Sequence, residues 1–284
     1  MTASSLSITL ALLLAVVVAI RSTWSPCGQS MLSTLTPLTE RARGHRWGVT
    51  ATWFVGGAVL GGLTLGAAMA LLAWIASLVS VTATAAVGAV ALVAIVTASS
   101  DAGLLGRGLP FHTRQVAESW LDAYRPWVYA TGFGWQIGVG VATFVMTAAL
   151  YLFVVAVVLT ANPLVAILAG ALFGLVRGLA IFLGATATNT ERLFALHQWF
   201  EAAREPVRRA TVAAQCVIAA LAGIVAWGSD APVGALVVAV AAIGIGAVGL
   251  TGRGAQDRDA PRHSVGSGRE LRTVDARIPP DRMG

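Results

Sequence analysis

The sequence predicts an all-α polytopic membrane protein of about seven transmembrane helices, and three observations lead there. Hydrophobic residues make up 57% of the chain and charged residues only 11%, whereas soluble domains carry about 25% charge. Several windows of roughly 20 apolar residues are each long enough to cross a bilayer. The arginines gather in alternate connections between those windows, as the positive-inside rule requires.

The windows fall at about 5–38, 49–77, 82–99, 128–160, 163–185, 209–228 and 232–251, giving one membrane domain over 1–251. No positive charge precedes 5–20, so the charged n-region of a secretory signal peptide is missing. Loop 39–47 holds Arg41, Arg43 and Arg46, loop 100–127 holds Arg107, Arg114 and Arg125, and loop 186–208 holds Arg192, Arg204 and Arg208. The opposite turns, 78–81, 161–162 and 229–231, hold no basic residue. The expectation is a plasma-membrane protein with its N-terminus outside and its C-terminus cytoplasmic. The tail, 252–284, is rich in Gly, Pro, Arg and Asp and is expected to be disordered.

The first window is the odd one. From Leu6 to Leu38 is too long for a straight span, about 50 Å at 1.5 Å per residue against a hydrocarbon core of about 30 Å. It is broken at Pro26, inside Ser25-Pro26-Cys27-Gly28-Gln29-Ser30. Broken backbone at membrane depth is tolerated only where protein or a water-filled cavity satisfies it. The fourth window, 128–160, is softened by Gly132, Gly134, Gly138 and Gly140 around Trp135-Gln136. Each interrupted segment is followed by a glycine-rich helix, with Gly57, Gly61, Gly62 and Gly66 in one and Gly170, Gly174 and Gly178 in the other. This pattern predicts two inverted three-helix repeats plus one extra C-terminal helix, with a midplane site between the breaks. Its candidate lining is Ser25, Pro26, Gly28, Gln29, Ser30, Gln136 and Arg177.

Arg177 lies within LFGLVRGLAIF, and no acid falls inside a predicted span. Its partners should be backbone carbonyls, Gln136, Gln29 or an anion. Arg21 can snorkel from the first helix. Loops 113–125 and 190–205 read as amphipathic, the second through Leu193, Leu196, Phe200 and Ala203; either headgroup or packing roles fit such faces. Trp47, Trp127, Trp199 and Trp227 sit where interfacial anchors belong.

All 19 basic residues are arginine. The isoelectric point near 10.6 reflects membrane orientation, and no nucleic-acid role is expected. The four histidines are isolated and no Cys/His spacing suits a metal. No phosphate loop, dinucleotide fingerprint or HExxH motif is present, so neither cofactor nor metal is expected. Of the two cysteines, Cys27 sits beside a helix break and hydroxyls, the setting of a reactive thiol. Cys216, within AAQCVIAAL, reads as a small buried apolar residue. Residue counting puts both at similar depth, about 16 and 12 Å from the cytoplasmic side.

Ser25-Pro26-Cys27, the basic run from Arg41 to Arg46 and the glycine-rich stretch from Phe54 to Gly66 together resemble the cytochrome c biogenesis and disulfide-transfer membrane family, the CcdA/DsbD type. The likeness covers roughly 5–230 and extends to a membrane protein of methylamine-utilisation clusters and to small-solute exporters. It implies a thiol–disulfide electron carrier across the membrane, with Cys27 as redox thiol, a thioredoxin-like cytoplasmic donor and an outer thiol protein as acceptor. In that family a second cysteine opens the second repeat; here Trp127 to Leu159 contains none. Three functions therefore stand open: a thiol-redox carrier using Cys27 with Cys216 or a partner's thiol, a transporter or exporter of a small solute or anion with a midplane site, and a membrane assembly partner.

Overall fold

The structure is a computed structural model that describes residues 3–79, 81–105, 124–140, 147–227 and 232–251. All regular structure among them is helical. The helices are α1 (Ala3–Thr23), α2 (Pro26–Thr34), α3 (Pro37–Ala42), α4 (Trp47–Leu78), α5 (Ala83–Asp101), α6 (Pro126–Val139), α7 (Ala149–Val158), α8 (Pro163–Leu179), α9 (Thr190–Trp227) and α10 (Pro232–Thr251). A 3₁₀ segment, Ala180–Thr186, extends α8.

Four of these helices are long and apolar enough to cross a membrane, or five if the bent pair α1 and α2 counts as one span. Large apolar side chains face outward along them, including Leu71, Leu72 and Trp74 of α4 and Leu164 and Leu168 of α8. Water would penalise that surface and lipid does not. The protein is a membrane-embedded helical bundle. The amphipathic reading of 113–125 and the disordered tail of 252–284 lie outside the described residues.

The bundle is built around α4, which packs between α6 and α8. Its glycines fall on two sides. Gly57 and Gly61 face the α6 backbone at Thr131 and Trp135, while Gly62 and Gly66 face α8 at Gly170 and Ala166. A Cβ at any of these sites would meet neighbouring main chain. Small residues let membrane helices approach until dispersion and close contact hold them. The glycine-rich stretches are thus packing seams rather than linings of a pathway.

Two expected boundaries fall elsewhere. Residues 190–205 and the span from 209 form one helix, α9, with Pro206 inside it. Proline removes one intrahelical donor, but Glu205 ties Arg208 at 2.7 Å and Arg209 at 2.9 Å across the next turn. The window 128–160 is two helices, because α6 stops at Gly140 (φ 70°) and α7 begins at Ala149.

At the arginine-rich end, α3, α4 and α6 are joined through a carboxylate that no motif or spacing singles out. Glu40 is fully buried. It accepts from the Tyr129 hydroxyl at 2.9 Å, from Thr50 Oγ1 at 2.6 Å and from Arg43 Nη1 at 3.3 Å. Paired in this way, a buried charge fixes the approach of three elements.

Candidate functional site

The α1/α2 break follows from four consecutive residues. Pro26 pushes the preceding residue out of helical geometry, and Ser25 lies at φ −87°, ψ 161°. From there its Oγ accepts the Gly28 amide at 3.2 Å, an N-cap with proline in its favoured first helical position. The two helices meet at 66°. A Cβ at residue 28 would run into the Thr23 carbonyl, so the turn is as tight as it is because Gly28 is glycine.

Two long-range contacts hold this corner. The indole of Trp24 donates to the Phe200 carbonyl at 2.8 Å and stacks on the Phe200 ring, with centroids 4.9 Å apart. On the other side, Arg177 is 2% exposed. Its Nη1 donates to Ile137 O at 2.6 Å and its Nη2 to Ser22 O at 3.2 Å. Ser22 lies in the last turn of α1 and Ile137 in the last turn of α6. Both carbonyls lie at the negative ends of the helix dipoles, where Ile137 O also takes the amide of the C-cap Gly140 at 3.2 Å. One guanidinium, lying over the Phe173 ring at 5.7 Å, therefore closes two broken helices at once.

Cys27 sits at the second position of α2 and is 1% exposed. It is within electrostatic range of Arg177. A helix N-terminus and a guanidinium are electropositive neighbours of the thiol, but it is buried, whereas reactive cysteines are partly exposed. It packs with Trp24, Met31, Phe54 and Phe133.

The structure thus brings Ser25, Pro26, Cys27, Gly28 and Arg177 into one corner. Gln29 and Ser30 are half-buried on the next turn, and the Gln29 amide bonds to Glu201 of α9. Ser33, one turn further, meets His197 Nε2 at 3.0 Å. Gln136 precedes Ile137 on α6, but no hydrogen bond joins it to Arg177 among the described residues. Cys216 lies in another apolar cluster, its Sγ facing Gly246 of α10, and no disulfide links it to Cys27. No group of three metal-ligating side chains occurs among the described residues.

Sequence reading missed His197 and Glu201. Their i, i+4 spacing beside the apolar face of 190–205 was the available signal. Leu196, Phe200 and Ala203 of that face pack against the Cys27 cluster, so this segment is a lid on the corner rather than a float at the headgroups.

No protein-family profile and no solved structure matches the chain. It is 29% identical over 161 residues to the methylamine utilization protein MauF of Paracoccus versutus, covering 56% of this chain and 59% of that protein. It is 29% identical over 210 residues to the MauF of Methylophilus methylotrophus, covering 71% of this chain and 73% of the relative. The chain is similar to methylamine utilization proteins, over about three fifths to three quarters of their length.

Proposed function

We propose that this is an integral membrane accessory protein of the methylamine-utilisation type, and that its working centre is the Cys27 corner, used for thiol–disulfide exchange. The observation that carries the reading is the position of Cys27: on the first turn of a half-helix, beside the guanidinium that closes both helix breaks. The likeness of Ser25-Pro26-Cys27 to the cytochrome c biogenesis type supports the same chemistry.

In the cycle, the Cys27 sulfur attacks a disulfide of an outer acceptor protein. The acceptor's S–S bond breaks, its leaving sulfur takes a proton, and a mixed disulfide with Cys27 forms. One thiol of the second protein, a thioredoxin-like dithiol donor, then attacks the Cys27 sulfur; the mixed S–S bond breaks and the acceptor's second sulfur leaves as a thiol. The donor's other thiol attacks its own partner sulfur, breaking the donor–Cys27 bond and freeing the Cys27 thiol. The acceptor gains two electrons and the donor becomes a disulfide. Cys216 packs elsewhere, so the resolving thiol belongs to a partner. The arginine-rich end faces the cytoplasm by the positive-inside rule, with the N-terminus outside. The Trp24–Phe200 and Gln29–Glu201 contacts must open for the buried sulfur to be reached.

Alkylation of intact membranes, with and without reductant, tests this. A reductant-dependent adduct on Cys27 is expected, absent in Cys27→Ser, together with loss of methylamine-dependent growth when that variant replaces the native chain. Full growth with Cys27→Ser would sink the redox reading. The convergence of two broken helices favours a second one, solute transport; against it, the Arg177 donors that would hold an anion already hold two carbonyls.

A further inference from the structure

At its C-terminal end α1 is committed to the bundle, where Ser22 O meets Arg177 and Arg21 is buried rather than snorkelled to the surface. At its other end it borders a hollow of about 290 Å³, which it shares with α5, the end of α7 and α9. This is the end of the bundle whose connections, 78–81, 161–162 and 229–231, carry no basic residue, the outer end by the positive-inside rule. Among the described residues that line the hollow, only Ser7 and Thr160 have polar side chains; the others are Ala, Val, Leu or Ile.

The lining is graded in the same direction on every wall. Ser7 of α1, Ala83 of α5, Thr160 after α7 and Val225 of α9 stand at or close to the expected span ends. Seven residues further in on α1, α5 and α9 are Leu14, Val90 and Ile218, about 10 Å deeper at 1.5 Å per residue. Hydroxyls thus stand at headgroup level and hydrocarbon at acyl-chain depth. The hollow also has an open side. Leu221 and Val225 are exposed on the outside of the bundle, whereas Leu14 and Ala222 at the floor are buried. Water has no place in the deep part, because a buried water needs several polar partners. Left empty, the floor would forfeit its dispersion contacts on one side.

We propose that this hollow is a lipid site, holding one acyl chain of an outer-leaflet phospholipid with its ester end level with Ser7 and Thr160 and its methyl end against Leu14 and Ile218. Its volume lies at the small end of ligand pockets, which start at roughly 300 Å³ and are apolar with a few polar groups that orient the guest. The chain enters sideways from the bilayer, past Leu221 and Val225, and wedges α1 against α5 and α9. The site sits at the opposite end of α1 from the Cys27 corner and does not rest on the thiol reading.

The test uses the full chain in detergent-free nanodiscs of dioleoylphosphatidylcholine. A trace of the same lipid carries a photoactivatable diazirine on one acyl chain, and the labelled positions are read by peptide mass spectrometry after irradiation. Bulk lipid is as apolar as the hollow, so the preference comes from close contact alone. Labelling of the lining residues should exceed that of Leu71, Leu72 and Trp74, which face lipid on α4, by about tenfold. A diazirine near the chain end should mark Leu14 and Ile218, and one near the ester should mark Ser7 and Val225. Ala86→Phe fills the hollow from a half-buried position on α5 and should bring the labelling down to the level of α4. Should that variant fail to fold, the two label positions on the native chain decide the matter without it. Equal labelling of the lining and of α4, a reversed order of the two probes, or unchanged labelling in a folded Ala86→Phe would overturn the site. So would a non-lipid apolar molecule carried through purification, seen by native mass spectrometry and blocking the label.

Discussion

The two helix breaks have the same problem and solve it differently. Between α1 and α2 only Trp24 and Ser25 separate the helices, and the new helix is capped from within, Ser25 to Gly28. α6 ends at Val139 and α7 begins at Ala149, where the N-cap residue Ala148 has no side chain to cap with and Thr147 Oγ1 reaches the Ala149 amide only at 3.3 Å. Its first amides are taken by Asp101, which arrives from the end of α5. One break is written locally, the other depends on a distant element, and Arg177 braces the closing ends of α1 and α6 together. The comparison also separates shape from chemistry. Both breaks free backbone groups at depth, but only the first holds a thiol.

Arg177→Met is the largest lever on this comparison, because it takes the charged donor from the Ser22 carbonyl and leaves Ile137 O with only the 3.2 Å Gly140 amide. A loss of about 3–5 kcal/mol is expected, seen as a lower thermal midpoint in detergent and faster amide exchange at both breaks. Loosening at one break alone would mean that the arginine does not couple them. Asp101→Ala should cost about 2–3 kcal/mol and speed exchange at 147–150 while leaving 26–30 protected. Exchange rising equally in both segments would contradict the division into a remote and a local cap.

Gly28→Ala drives a Cβ into the Thr23 carbonyl and should cost about 1–3 kcal/mol, with a wider angle between α1 and α2. Spin labels on α1 and α2 can measure that angle; an unchanged distance would show that the corner is not set by Gly28. Ser25→Ala is the smallest, about 1 kcal/mol, with exchange faster over 26–30 only. No change there would shift the weight of the corner onto the Trp24–Phe200 contact.

Several features of the site were legible because their cause is local. Pro26 after a serine stops a helix wherever it occurs, and the over-long first window had to bend somewhere. Arg177 could be flagged as needing backbone carbonyls, Gln136, Gln29 or an anion, since no acid was at hand within the spans. Which carbonyls could not be read, because Ser22 and Ile137 lie 155 and 40 residues away. The inverted repeat stands as an expectation from the sequence. The described helices show two breaks meeting at one residue, which is a narrower finding.

By itself, then, the sequence determined that this chain is helical, apolar enough to live in lipid and broken at Ser25-Pro26, because composition and backbone sterics act over a few residues. Only the tertiary structure decided that Arg177 closes two helices and that His197 and Glu201 of α9 cover the break. It also set Cys27 beside a guanidinium and Cys216 in another cluster. The physical reason is the same in each case: a buried polar group must find a partner, and in a bundle of long helices that partner comes from wherever packing brings one within 3 Å or so.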